Sequence, residues 1–337
     1  LVLSLLLLST ARAAELAIVN VNVITMDDET VLPAQTVLIR GDRIERLGPV
    51  SSTVVPNGAS IVDGTDRYLM PGLSEMHGHV PGGSHAELER VLTLYVANGV
   101  TSVRGMLGQP SHLKLRERIA RRAQLGPRLY TSGPSFNGNS VSSPRQAADM
   151  VRKQHRAGYD FLKIHPGLTR AEFTAMAEAA DEHGIRFAGH VPEDVGVELA
   201  LQLGISTIDH LDGYLELMLP AHSDPSGGYG GLFGLFLAAS ADPARIPDIA
   251  RATAEAGTWN VPTESLFEHY VNAEPAAAMA AWPEMKYMPA ATVRQWATSK
   301  QELQADRGFS AATAERAIGL RRALIKALHE AGAGLLL

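Results

Sequence analysis

The chain has 337 residues, 45% of them hydrophobic and 20% charged, with 30 basic and 36 acidic side chains for a net charge of −6. That balance is ordinary for a globular protein with a sizeable core, and without a basic stripe it argues against a nucleic-acid partner. There are no cysteines, so disulfides and thiolate metal sites are excluded and a transition metal must be held by histidine, carboxylate or a modified side chain.

Residues 1–13 open with the apolar run Leu1 to Leu8, too short to span a bilayer, and end in Ala11-Arg12-Ala13. This reads as the later part of a signal peptide cleaved near Ala13, and predicts an exported, periplasmic or secreted protein with no stable membrane anchor. Residues 14–70 read as short alternating strands, with a hairpin turn at Gly41-Asp42. They are expected to form the first part of a small β-sandwich domain.

From residue 71 onward, apolar strands alternate with amphipathic helices. Strand candidates are "LSEMHGHV", "VTSVRGM", "PRLYTSG", "YDFLKIH", "RFAGHV", "STIDHL", "TWNVPTE" and "GAGLLL". Eight such alternations predict an α/β fold, a (β/α)8 TIM-like barrel over residues 71–337 that reaches its eighth strand only at the end of the chain. A doubly wound open sheet is the alternative, and the absence of a G-x-G-x-x-G after the first strand counts against it. Two long connections, about 212–242 and 265–310, follow strands and are expected to border a catalytic mouth as lids.

In such a barrel, chemistry sits at the C-terminal strand ends. Of the twelve histidines, His77, His79, His165, His190 and His210 fall there, as does Lys163. His112, His155, His183 and His329 lie in helical patterns and are expected on the surface. His77 and His79, two apart on a strand, share a face and can grip one ion, with Gly78 leaving room between them. Lys163, in the apolar setting "DFLKIH", is costly to bury charged. A neutral amine there can take up carbon dioxide as a carbamate, an anionic two-oxygen group suited to bridging two cations. The alternative is a lysine paired with Asp160 or reaching solvent.

Together "YLMPGLSEMHGHV", "GVTSVRGM", "YDFLKIH", "FAGHV" and "STIDHLDGY" resemble the amidohydrolase superfamily, in particular its Xaa-Pro dipeptidase and imidazolonepropionase-like branch. The resemblance implies a metal-dependent hydrolase of a C–N bond in a small substrate such as a dipeptide or N-acyl amino acid. It implies two divalent ions, zinc being the expected identity. His77 and His79 would bind the first, His190 and His210 the second, and carboxylated Lys163 both. His165, Arg104, Tyr214 and Tyr130 are the expected substrate contacts. The superfamily's general-base aspartate follows the eighth strand, beyond Leu337, so this stretch alone is expected to be inactive. Gly105 stands where relatives often carry an aspartate, a departure from the dipeptidase pattern. A lactonase or phosphotriesterase-like hydrolase and an inactive binding barrel are the competing functions.

Overall fold

The computed structural model describes residues 15–220 and 230–336, so the signal-like segment and part of the first long connection lie outside it. Two compact units divide between Leu73 and Ser74.

The first unit is a five-stranded sheet of β1 (Leu16–Ile24), β2 (Val31–Arg40), β3 (Arg43–Pro49), β4 (Ser60–Asp63) and β5 (Tyr68–Leu69). The order is β3-β2-β1-β4, with β5 also on β1. β2 and β3 meet at Arg40↔Arg43 through the two-residue turn Gly41-Asp42. Gly41 sits at φ 62, where a side chain would strain the backbone. Two apolar clusters are buried on opposite sides of the sheet, Ala17 with Leu38 and Val21 with Val23 and Val37. The described residues give one sheet here, not a facing pair.

The second unit alternates strand and helix. Its strands are β6 (Leu73–Gly78), β7 (Val100–Gly105), β8 (Arg128–Thr131), β9 (Leu162–Ile164), β10 (Phe187–Gly189), β11 (Thr207–Asp209) and β12 (Trp259–Val261). They pair in chain order as β6-β7-β8 and β9-β10-β11-β12. Every pairing whose register is described is parallel. Isolated parallel bridges join Ser132 to Phe161, Phe136 to Ile164, and Asn260 to Leu335. The helices between strands are α1 (His85–Ala97), α2 (Ser111–Ala120), α3 (Pro144–Ala157), α4 (Arg170–Glu182), α5 (Gly196–Gln202), α6 (Tyr214–Leu217) and α7 (Ile246–Glu255). After β12 come α8 (Glu264–Val271), α9 (Ala276–Ala280), α10 (Ala290–Ala305) and α11 (Ala311–Glu330).

Local chemistry sets these boundaries. Ser143 caps α3 ahead of Pro144, and Gly158 ends it in the left-handed region. Thr169 and Glu172 form a reciprocal capping box on α4. Period-two alternation sorts β9: Leu162 and Ile164 join the large core with Phe173 and Met176 from α4. Phe161, Lys163 and His165 therefore belong to the opposite face. His112 is a correction to the expected surface histidines. It is 1% exposed, shares the inner face of α2 with Leu115, and lies 3.4 Å from Thr131 Oγ1. The second long connection is largely helical, holding α8 to α10. Among the described residues no helix is long and apolar enough to cross a membrane.

Candidate active site

Five imidazoles from the strand ends line one cavity of about 830 Å³: His77, His79, His165, His190 and His210. Ring centroids are 5.3 Å apart for His77 and His79, 4.3 Å for His77 and His210, 4.8 Å for His190 and His210, and 5.1 Å for His165 and His190. Gly78 makes the first pair possible, since a Cβ there would meet Val103 Cγ1 at 2.6 Å. At the end of β11 the backbone turns sharply, with His210 at φ 64 and Leu211 at φ 53. Both are strained conformations for residues with side chains. Two groups hold the turn: His210 N donates to the Val261 carbonyl at 2.7 Å, and Arg321 Nη1 donates to the His210 carbonyl at 2.7 Å. Phe233 stacks on the His210 ring, 4.4 Å away at 6°.

Each of three rings has its Nδ1 occupied. His77 Nδ1 lies 2.6 Å from Asp209 Oδ2, and His190 Nδ1 lies 3.0 Å from Asp212 Oδ2. His210 Nδ1 lies 2.7 Å from Thr263 Oγ1, whose own proton goes to the Pro262 carbonyl at 2.8 Å. These acceptors assign the proton to Nδ1 and leave Nε2 with a free lone pair. Burial favours the uncharged form. It pulls His79 down to about 4 and His165 down to about 3, and also lowers His77 and His210. Near neutral pH these four rings are lone-pair donors, the state a metal needs.

Lys163, two residues before His165 and on the same face of β9, is fully buried, and its Nζ has no hydrogen-bond partner. Burial drops its pKa to about 8, with Arg104 adding to the fall and Asp209 and Asp212 opposing it. It does not pair with Asp160, which instead accepts from Arg116 and from Thr131 N. Gly189, at φ 131, leaves it room: a Cβ there would fall 3.1 Å from Lys163 Nζ and 2.5 Å from the Ile164 carbonyl. Neutral imidazoles around a buried, unpartnered amine fit a divalent metal centre that includes a modified lysine. Among the described residues no three His, Asp or Glu side chains already converge to hold an ion.

The other expected substrate contacts lie elsewhere. Arg104 does not line the cavity. It donates to the Met76 carbonyl, to Thr207 and to Asp209, making a buried ion pair. Tyr130 lines a second cavity with Arg104, Asp160 and Trp259, away from the histidines. Tyr214 is fully buried, its hydroxyl bonded to Asn260 Oδ1 and Thr253 Oγ1, because apolar core surrounds it and those two polar groups satisfy it. Of the four, only His165 faces the cavity.

Sequence reasoning missed Asp209, which is completely buried. Burial alone would raise its pKa, yet the His77 hydrogen bond, Arg104 and Lys163 hold it well below the usual carboxylate range. A charge centred in "STIDHL" was the available signal, since a strand interior admits a carboxylate only with partners. Asp212, Tyr95, Glu75 and the Arg321–Glu264 pair were also missed. Tyr95, from α1, lines the cavity with its phenol pushed up to about 12 by burial and the nearby Glu75.

Sequence comparison places the amidohydrolase family profile on residues 68–331. Adenine deaminase 3 of Rhizobium meliloti (strain 1021) is 32% identical over 196 residues, which cover 53% of this chain and 32% of that protein. An adenine deaminase of a Ruegeria species (strain TM1040) is 24% identical over 225 residues, covering 60% and 36%. The chain thus spans about a third of the length of these curated relatives. Among solved structures, a bottromycin amidohydrolase superposes with TM-score 0.64 at 22% identity, covering 97% of this chain and 68% of that one. A Xaa-Pro dipeptidase with methionine in its active site gives TM-score 0.56 at 18% identity, covering 95% and 78%. These likenesses show the parallel α/β amidohydrolase fold, and the profile match over most of the chain shows that the protein belongs to the amidohydrolase family.

Proposed function

We propose that the full-length protein is a metal-dependent hydrolase of C–N bonds in small substrates such as dipeptides, its second unit closing into a (β/α)8 barrel. One observation carries this reading: five imidazoles line a single cavity, and Lys163, on the same face of β9 as His165, is fully buried with no partner for its amine. His77 and His79 would hold one divalent ion, His190 and His210 a second, and Lys163, carboxylated, would reach both. Zinc suits imidazole and carboxylate-type oxygens together. Bound there, such ions acidify a water toward neutral pH and polarise a carbonyl.

The chain's own residues do the rest. Asp209, Asp212 and Thr263 fix ring orientation and tautomer, so the imidazoles meet their partners without reorganising. Arg104 neutralises Asp209 from within the strand layer. Phe233 and the wall of Val261, Pro262 and Leu266 exclude water from one side of the cavity. His165 is placed to touch substrate. The similarity to adenine deaminases favours a second reading, hydrolytic loss of ammonia from an aminopurine.

Metal analysis of the purified full-length protein, followed by a panel of dipeptides, N-acyl amino acids, lactones and adenine, tests both. Close to two zinc-type ions per chain and turnover of an amide support the first reading. Turnover of adenine alone supports the second. Less than about one ion per chain would sink both.

A further inference from the structure

The cavity carries an asymmetry in charge. Two carboxylates, Glu75 and Glu264, line it, and among the described residues no lysine or arginine does. Glu75 is engaged by its own strand, Oε1 accepting from His77 N at 2.7 Å. Glu264 is different. Thr263, at φ 48, turns the chain abruptly out of β12 so that Glu264 becomes the first residue of α8. Its Oε2 accepts from the fully buried Arg321 at 2.9 Å, while its Oε1 is buried with no hydrogen-bond partner. The neighbouring wall is apolar, with Val261, Pro262, Leu266 and Ile325. A desolvated carboxylate oxygen without a donor is costly, and the strongest remedy is a charged N–H donor. Burial pushes the Glu264 pKa up, and the Arg321 charge works against that rise. A second cation at Oε1 would favour the ionised form further.

We propose that Glu264 receives a protonated amine of the substrate, so that the favoured substrates carry a free ammonium group, as an unblocked dipeptide does, rather than an acylated nitrogen. This rests on the histidine cavity being the substrate site, as proposed above. Arg321 is then a positioning residue. It holds the carboxylate by one oxygen and leaves the other free for a donor.

The test is calorimetric binding of benzylammonium and of benzyl alcohol, its uncharged counterpart, to the purified full-length protein near pH 7.5. The wild type should bind the ammonium probe at least about tenfold more tightly, the scale of one charge-assisted hydrogen bond. Glu264→Gln keeps an acceptor for Arg321 and should abolish the preference, leaving benzyl alcohol unchanged. Glu264→Asp should restore part of it. Equal affinities in the wild type, a preference that survives Glu264→Gln, or equal weakening of both probes would each overturn the proposal, the last by assigning Glu264 a packing role only. Hydrolysis of Ala-Leu and N-acetyl-Ala-Leu is measured in parallel. Turnover without ammonium preference leaves the hydrolase standing and this inference refuted. An ammonium preference lost in Glu264→Gln, without turnover of any amide, does the reverse.

Discussion

Lys163 and Asp209 are opposite solutions to the same burial. Asp209 is surrounded by donors, from His77, Arg104 and Thr207. Lys163 has none. Replacing Lys163 with Met should therefore raise the stability of metal-free, CO₂-depleted protein by about 1–3 kcal/mol, because it removes an unsatisfied buried amine. The same change should abolish activity. A residue kept for packing would give the opposite sign in urea denaturation. The pH dependence follows. With a folded pKa lowered by burial to about 8 from the ordinary lysine value of 10.5, the unfolded chain binds this proton more readily between those pH values. The stability of the metal-free protein should then rise with pH across that window, and Lys163→Met should flatten the rise. Asp209→Asn leaves Arg104 buried without its charge partner and releases the His77 tautomer. Expected are a loss of about 3–5 kcal/mol in denaturation and a fall in metal affinity of about 10–100-fold by competition with a chelator.

At the scale of elements, strand ends were legible and their supports were not. "EMHGHV", "FLKIH", "FAGHV" and "STIDHL" each end a short strand whose alternation is readable, so the inward residues could be named without coordinates. Tyr214 was misread because it follows β11 in sequence, whereas α6 turns it into the core. His112 was misread because a polar residue on a basic helix suggests solvent, yet i, i+3 spacing puts it beside Leu115 on the buried face. The partners of the site come from distant elements: Asp209 is 132 residues from His77, and Thr263 is 53 from His210. No local pattern encodes such pairs. The clearest case is Arg321, in the apolar rhythm of α11, which donates to the carbonyls of His210 and Pro262 and to Glu264. Arg321→Met should cost roughly 3 kcal/mol or more in denaturation. Arg321→Lys should recover less than half of that, because the compact ammonium lacks the planar, spread fork of donors that meets the His210 and Pro262 carbonyls and Glu264 together.

For the whole molecule, the family and the parallel α/β fold were readable from the order of strands and helices, while the substrate was not. Part of the cavity wall sits where period and propensity say little: Phe233 on a kinked 3-10 turn, Glu264 after a left-handed threonine, and Leu266 on α8. A metal bound by the folded state alone adds to stability by mass action. Chelation should lower the melting temperature of the full-length protein by about 5–10 °C, and zinc should restore it. Lys163→Ala should show a smaller shift on both steps, measured by calorimetry. The grip of Arg321 on His210 also has a consequence in time. On the ribosome, the guanidinium follows that carbonyl by 111 residues. At roughly 5–20 residues per second, the strained turn that carries the imidazole waits on the order of 5–20 s for the group that holds it. The histidine cavity is therefore held in its final form only after α11 is made, and a nascent chain carries β11 and its neighbouring strands well before that cavity is assembled.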